Sequence, residues 1–244
     1  TTEIYTLSLH DALPIWLHAS LAYEYLRLRS RGDAGTVVLP TAGFVDGLAA
    51  GTPAGRLLRQ YRPEAAPAGS GALGEVLVAR DVMQNRHLAT PRLDYSSRGG
   101  GHRLFARLAV AQLQQPEFIY SPYPDFRSTL RQGAVNFALG AVDQISTNVT
   151  NEARFARNGD VLRLDRPHPE VATFGSFDQA WLPGSPLFYD YRNSGRNYEV
   201  LDNVVVAAGR HMFKFGGGML WRRSEGPFTF RGDGFYFVES VQKL

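Results

Sequence analysis

NYEVLDNVVVAAGRHMFKFGGGMLWRR, residues 197 to 223, is two alternating runs hinged at Gly209-Arg210. Tyr198, Val200, Val204 and Val206 share one parity before the hinge, and Phe213, Phe215, Met219 and Trp221 share one after it. A period of two places each set on one face of an extended strand. Lys214 and Arg222 fall on the opposite face. The stretch therefore predicts an antiparallel hairpin with one apolar and one polar side.

The same rhythm extends in both directions. Strands are predicted over Leu21 to Arg31, His87 to Ser96, His102 to Gln112, Ser128 to Val142, Thr147 to Arg157, Arg196 to Ala208 and His211 to Arg223, with an eighth beginning near Gly234. Leu93 and Tyr95 oppose Arg92 and Asp94. Leu104, Ala106, Leu108 and Val110 oppose Arg103, Phe105 and Arg107. Val135, Phe137, Leu139 and Ala141 share a face with Val149, Ala153 and Phe155, while Asn136, Thr150, Glu152 and Arg154 point the other way. Several runs reach about 11 to 15 residues, against about 5 to 6 for an average strand.

Connections alternate in length. Short turns are expected at Ser97 to Gly101, Asp143 to Ser146 and Gly209 to Arg210, where Gly, Asp and Ser supply turn chemistry. Long connections are expected at 32 to 86, 113 to 127, 158 to 195 and 224 to 233. This alternation puts every tight turn at one end of a sheet, the asymmetry of outer-membrane barrels. With the short turns at the bottom, Tyr95, Phe213 and Phe215 lie low on the apolar face and Phe155, Tyr198 and Trp221 lie high, as two aromatic girdles would. The alternative is a soluble β-sandwich with those aromatics in its core. Within 32 to 86 one helix is predicted, Pro53 to Tyr61, with Leu57, Leu58 and Tyr61 on its apolar side.

The fold class expected is all-β: a partial antiparallel outer-membrane barrel of about eight up-and-down strands with long external loops, incomplete at both ends. Hydrophobic residues make up 44% of the chain, yet no apolar run approaches the roughly 18 residues of a membrane-spanning helix. Cysteine is absent, which excludes disulfides, thiolate nucleophiles and cysteine-ligated metals. Net charge is +3, and the 26 basic residues are arginine apart from Lys214 and Lys243. They are spread along the chain, which argues against nucleic acid as a partner.

Residues 1 to 15, TTEIYTLSLHDALPI, read codon for codon as the translation of a sequencing-adapter oligonucleotide. They are set apart from fold reasoning as an adapter-derived artefact, leaving 16 to 244 as the partial barrel, and the true N-terminus is expected to be lost.

Chemical motifs are weak. Gly99-Gly100-Gly101 and Gly216-Gly217-Gly218 lack phosphate-loop spacing and read as turn or strand-kink glycines. Arg-Gly-Asp at 31 to 33 and 231 to 233 reads as a turn at a strand end. Asn148-Val149-Thr150 fits a glycosylation acceptor by coincidence. His18, His87, His102, His168 and His211 have no metal-ligand spacing, and His102 and His211 are expected to cap hairpins. No catalytic arrangement, cofactor site or metal site is read, so the chain is not expected to be an enzyme.

Four segments in order resemble Oar-like TonB-dependent receptors. AYEYLRLRSRGDAGTVVLPTAGFVDGL resembles that family's first barrel strand and following loop, through Pro40-Thr41-Ala42-Gly43-Phe44. RLDYSSRGGGHRLFARL resembles its next hairpin, through Arg92, Asp94 and His102 to Arg107. STNVTNEARFAR matches through Asn151, Glu152, Arg154 and Phe155. The opening stretch matches through Asp202, Asn203, Gly209, Arg210, His211, Lys214, Phe215, Gly216 and Gly217.

The resemblance spans about residues 20 to 240 and implies a barrel of roughly 22 strands around a plugged lumen. It also implies a plug domain and TonB as partners, both absent from this chain, besides outer-membrane lipid and an external ligand of unknown identity. The implied function is energised uptake of a bulky nutrient across the bacterial outer membrane. Loops 113 to 127, 158 to 195 and 224 to 233 are the candidate ligand-contact regions. Arg92, Asp94, Arg103, Arg107, Lys214 and Arg222 are the candidate lumen-facing residues. The alternatives are a non-energised porin-like or structural barrel and a soluble, secreted β-rich binding protein.

Overall fold

The computed structural model describes residues 16–117, 119–186, 189–226 and 234–244, and the backbone of residues 2–8. The chain is nearly all β, as the alternation predicts. Strands β1 (Thr2–Ser8), β2 (Leu17–Pro40), β3 (Leu73–Ser96), β4 (His102–Pro116), β5 (Thr129–Ser146), β6 (Val149–Leu164), β8 (Tyr191–Ala208) and β9 (His211–Glu225) form one sheet in chain order, antiparallel throughout. The remaining strands, β7 (Thr173–Ser176) and β10 (Phe235–Val238), pair in parallel as a separate two-stranded sheet. No ladder joins β1 to β9 among the described residues, so the sheet is open.

Several boundaries differ from expectation, mostly because strands run further toward the long loops. The segment 32 to 86 is not one loop: β2 continues to Pro40 and β3 begins at Leu73. Arg31-Gly32-Asp33 does not end the strand. The register shifts between Arg31 and Ala34, which sets two residues of β2 against one of β3. The same Gly-Asp chemistry that makes a turn here makes a β-bulge, which inserts a residue without breaking the strand. The turn expected at 143 to 146 lies at Thr147 and Asn148, after a similar shift between Gln144 and Ser146. The expected loops 113 to 127 and 158 to 195 shrink because β4 runs to Pro116, β6 to Leu164 and β8 starts at Tyr191.

The strand at Gly234 is short and leaves the main sheet for β7. The eighth strand of the sheet is β1 instead, inside the stretch set apart as adapter-derived. Edge pairing is made by backbone groups and tolerates almost any alternating sequence. The second Arg-Gly-Asp, at 231 to 233, lies outside the described residues.

Two helices fall between β2 and β3: α1 (Ala42–Gly47) and α2 (Pro53–Gln60), the latter where the sequence predicts one. Each has a threonine N-cap. Thr41 Oγ1 accepts from the Phe44 N–H and Thr52 Oγ1 from the Gly55 N–H, with Pro53 opening α2. No helix of the described residues is long and apolar enough to cross a membrane.

The buried core lies at one end of the molecule. Leu39, Tyr61, Tyr123, Phe126 and Val171 form one cluster, and Val45, Leu58, Ala180, Leu182 and Val241 a second. Both are built from the long connections and the ends of β2, and together they make a cap. A third, of Leu130, Leu164 and Tyr189, seats the cap on β5 and β6. The sheet strands contribute only end residues such as Leu39, Leu130 and Leu164 to this core, and no second layer covers their apolar face among the described residues. The sandwich alternative, with aromatics sealed between sheets, is not the fold.

Candidate functional site

Register sorts the sheet into two faces. One row runs Ala19, Leu93, Ala106, Leu139, Phe155, Val200 and Met219, each directly across from the next on seven successive strands. Leu93, Leu139, Phe155, Val200 and Met219 are all exposed, between 36% and 55%. An uncovered apolar surface of this breadth marks an interaction face.

The belt is oblique to the rows. On β3 and β4 it reaches Ala89 and Val110 before His87 and Gln112 end it. On β8 and β9 it ends one row sooner, at Arg196 and Arg223, and on β6 two rows sooner, at Arg157. At the other end β4 and β5 turn polar at His102 and Asp143, whereas Val206 and Phe213 carry the belt past that row. The net shift from β3 and β4 to β8 and β9 is of the kind a level band makes on tilted strands, with Arg157 on β6 out of that sequence and Asp202 within the belt on β8. Trp16 joins the low aromatics by an edge contact with Tyr95, ring centroids 5.6 Å apart.

All six candidate lumen residues share the other face. Arg92 lies across from Arg107, and that row continues through Ala138, Ala156 and Glu199 to Leu220. Asp94 accepts two hydrogen bonds from Arg92, 2.6 Å from Nε and 2.7 Å from Nη2. This bidentate pair offsets the repulsion between Arg92 and Arg107. The Arg92 guanidinium also sits 5.4 Å from the Phe105 ring centroid. Arg103 lies across from Ser96, next in this cluster. Lys214 and Arg222, on β9, are not brought to it; they lie across from Val205 and Asn197.

A groove of about 460 Å³ follows this face, with Arg92, Arg107, Arg154 and Glu199 among its lining. Parity puts Arg154 on the polar side but does not single it out, and Glu199 carries no sequence signal of its own. Only register across β6 and β8 brings them to Arg107, which no single-strand pattern can show. Arg154 forms an ion pair with Glu152.

The cap carries a second polar cluster, which the sequence did not signal. Tyr120 donates to Glu64 across 3.0 Å, and Arg127 pairs with the same carboxylate while lying 4.8 Å from the Tyr120 ring centroid. The Arg127 hydrogen bond, then that of Tyr120, holds Glu64 below the usual carboxylate range. Glu117, 5% exposed, is pushed up by burial against the pull of its bond from the Ser128 N–H. These residues line a cleft of about 420 Å³ with Arg29, Arg31 and Asp81.

The histidines serve local contacts. His102 Nδ1 lies 2.7 Å from Asp143 Oδ1, beside the turn it was expected to cap, and His87 stacks on Tyr25 at 4.7 Å. His211 follows the tight turn at Gly209, which has φ of +62°. A Cβ on Gly216 would stand 2.6 Å from the Asp202 carbonyl, so close strand approach explains that glycine. Among the described residues, no three His, Asp or Glu side chains converge as a metal site would require.

No family model, curated protein or solved structure matches the chain.

Proposed function

We propose that this chain is the early part of the barrel of a TonB-dependent outer-membrane receptor for energised uptake of a bulky nutrient. The observation that carries the membrane reading is the uncovered apolar belt, bounded by aromatics and oblique to the strand register. A strand needs about 9 to 11 tilted residues to cross the hydrocarbon. Strands β2 to β9 of the sheet exceed that length, so their upper parts rise beyond the bilayer and carry the cap. In this reading the polar face with Arg92, Asp94 and Arg107 lines the lumen. The cap, outside the membrane, meets an external ligand.

Energy coupling enters through the sequence resemblance. It favours a plugged receptor over a porin-like or structural barrel, with the plug and TonB as partners beyond residues 1 to 244. No bond-making chemistry is assigned to the polar lumen face; its work is binding and rearrangement.

The chain has no cysteine, so single-cysteine variants report position cleanly. Leu139→Cys and Phe155→Cys, each placed in the whole receptor and labelled with a fluorophore in lipid vesicles, are expected to be quenched by brominated acyl chains. Ala138→Cys and Ala156→Cys, their neighbours on the other face, are expected to react with a water-soluble thiol reagent instead. Equal behaviour of the two sets would rule out a lipid-facing belt. For the coupling, uptake by cells carrying the whole receptor is expected to stop on loss of TonB; unchanged uptake favours the passive barrel.

A further inference from the structure

Six arginines share one sector of the apolar-side face, three of them just beyond Phe155, Tyr198 and Trp221 and three in a row four to six residues further along their strands. They are Arg131, Arg157, Arg163, Arg192, Arg196 and Arg223. Arg131 lies directly across from Arg163, Arg163 from Arg192, and Arg196 from Arg223. Like charges in that relation repel and destabilise a sheet.

Two carboxylates serve this sector. Asp165 lies 3.1 Å from Arg131 and 2.5 Å from Arg163, and Glu225 pairs with Arg223. No carboxylate among the described residues stands within ion-pair distance of Arg157, Arg192 or Arg196. The excess is confined to this face. At the same height the polar face of these strands carries Asn136, Asn158, Asn197, Asp160 and Glu199, with Arg222 the basic residue among them. General arginine richness would not segregate in this way.

Placement names the counter-charge. Arg157, Arg196 and Arg223 are each two residues from Phe155, Tyr198 and Trp221 respectively, about 7 Å along a strand. In the barrel reading, on which this inference rests, the aromatics sit at the interface and the arginines stand where headgroups begin. Guanidinium forks match phosphate oxygens in pairs, which ammonium groups do not. We infer that Arg157, Arg196 and Arg223, on β6, β8 and β9, bind the phosphate groups of lipid headgroups in the leaflet on the long-loop side. The bound phosphates offset the repulsion between Arg196 and Arg223.

The test uses the whole receptor containing this chain in phosphatidylcholine vesicles, with insertion followed by protease protection and binding by energy transfer to a fluorescent lipid A carrying two phosphates. The wild type is expected to insert without lipid A and then gather it around itself, less so as salt rises. Arg157→Gln/Arg196→Gln is expected to weaken that enrichment by roughly fivefold per arginine, and Arg157→Lys/Arg196→Lys to retain most of it. Millimolar inorganic phosphate is expected not to displace the lipid.

An inserted glutamine variant that gathers lipid A as well as the wild type overturns the inference while leaving the barrel intact. Displacement by inorganic phosphate overturns it as a headgroup site and makes it a free-anion site. Failure of the wild type to insert into phosphatidylcholine overturns the barrel reading itself. Should the double glutamine variant alone fail to insert, Arg196→Gln is compared in its place: weakened enrichment supports the headgroup site, and enrichment equal to the wild type overturns it.

Discussion

Tyr120 and Glu64, 56 residues apart in sequence, meet through a 3.0 Å hydrogen bond that joins the loop after β4 to the loop after β2. The pair holds two halves of the cap together, and the cap contains most of the buried core. Its ionisation therefore bears on the cap before it bears on the strands.

The pH dependence of the cap follows from two carboxyl groups shifted in opposite directions. Glu64 is held low by Arg127 and Tyr120, so its contribution is present above the ordinary value of 4.5 and lost as pH falls through its folded value. Glu117 is pushed high by burial. Its burden is nil below 4.5 and grows as pH rises from there through its folded value. Glu117→Gln is expected to flatten the loss above 4.5 and leave the acid side unchanged. The check is urea unfolding at several pH values, followed by Trp181 fluorescence with Trp16 and Trp221 replaced by Phe. Parallel profiles for wild type and variant on the alkaline side of that value would mean that Glu117 does not set the loss.

Tyr123 is 1% exposed and donates to the Trp181 carbonyl across 2.9 Å. The Trp181 N–H in turn donates to the Val38 carbonyl, also across 2.9 Å, which fixes the 165–190 connection to the end of β2. Tyr123→Phe keeps the ring and strands that carbonyl. The expected cost is about 1–3 kcal/mol, borne by the cap. Hydrogen exchange should speed up around 180 to 182 and stay unchanged in the β4–β5 ladder. A uniform increase through both regions would mean that cap and sheet unfold together.

Much of this architecture was legible because alternation survives wherever one face is apolar. Val135 to Ala141 and Tyr198 to Val206 announced their strands and their faces. The upper halves of β2 and β3 were missed for the opposite reason. Above the belt both faces of a strand meet water or the cap, so Arg29 to Gly35 and Gly74 to Val82 carry no clean period. Gly32-Asp33 compounded the error, since the residues of a turn are also those of a bulge. Arg92, Asp94 and Arg107 could be read as neighbours from one hairpin. The Arg131, Arg163 and Arg192 row needs register across three strands, one tight turn and one long connection. The Glu64, Tyr120 and Arg127 cluster arises from loop packing, for which no periodic signal exists.

Gly140 marks a tight point on the polar face. A Cβ there would lie 2.0 Å from Phe105, the residue directly across the β4–β5 ladder. Phe105 in turn lies under the Arg92 guanidinium. Gly140→Ala is expected to push the ring aside and cost about 1–3 kcal/mol by overpacking. Pairing it with Phe105→Ala should recover most of that loss, read as the urea midpoint of the chain in vesicles. Additive costs would mean that the two positions do not share this contact.

Leu139 and Ala138 are adjacent in sequence and lie on opposite faces of β5, so a charge placed at each in turn compares the two environments on one strand. On the belt, if the proposed membrane reading holds, Leu139→Arg puts a guanidinium among acyl chains, at a cost of about 2–4 kcal/mol near the bilayer midplane. Ala138→Arg would place the same group in the wet groove, in the row that joins Arg107 to Glu199. Directly across from Arg107, the added charge is expected to cost up to about 1 kcal/mol. The difference between the variants is therefore expected to exceed about 1 kcal/mol when unfolding is measured in lipid vesicles. It should shrink in detergent of shorter chain length, where the guanidinium reaches water. Leu139→Arg tolerated as well as Ala138→Arg in both settings would mean that water, not lipid, covers the apolar face.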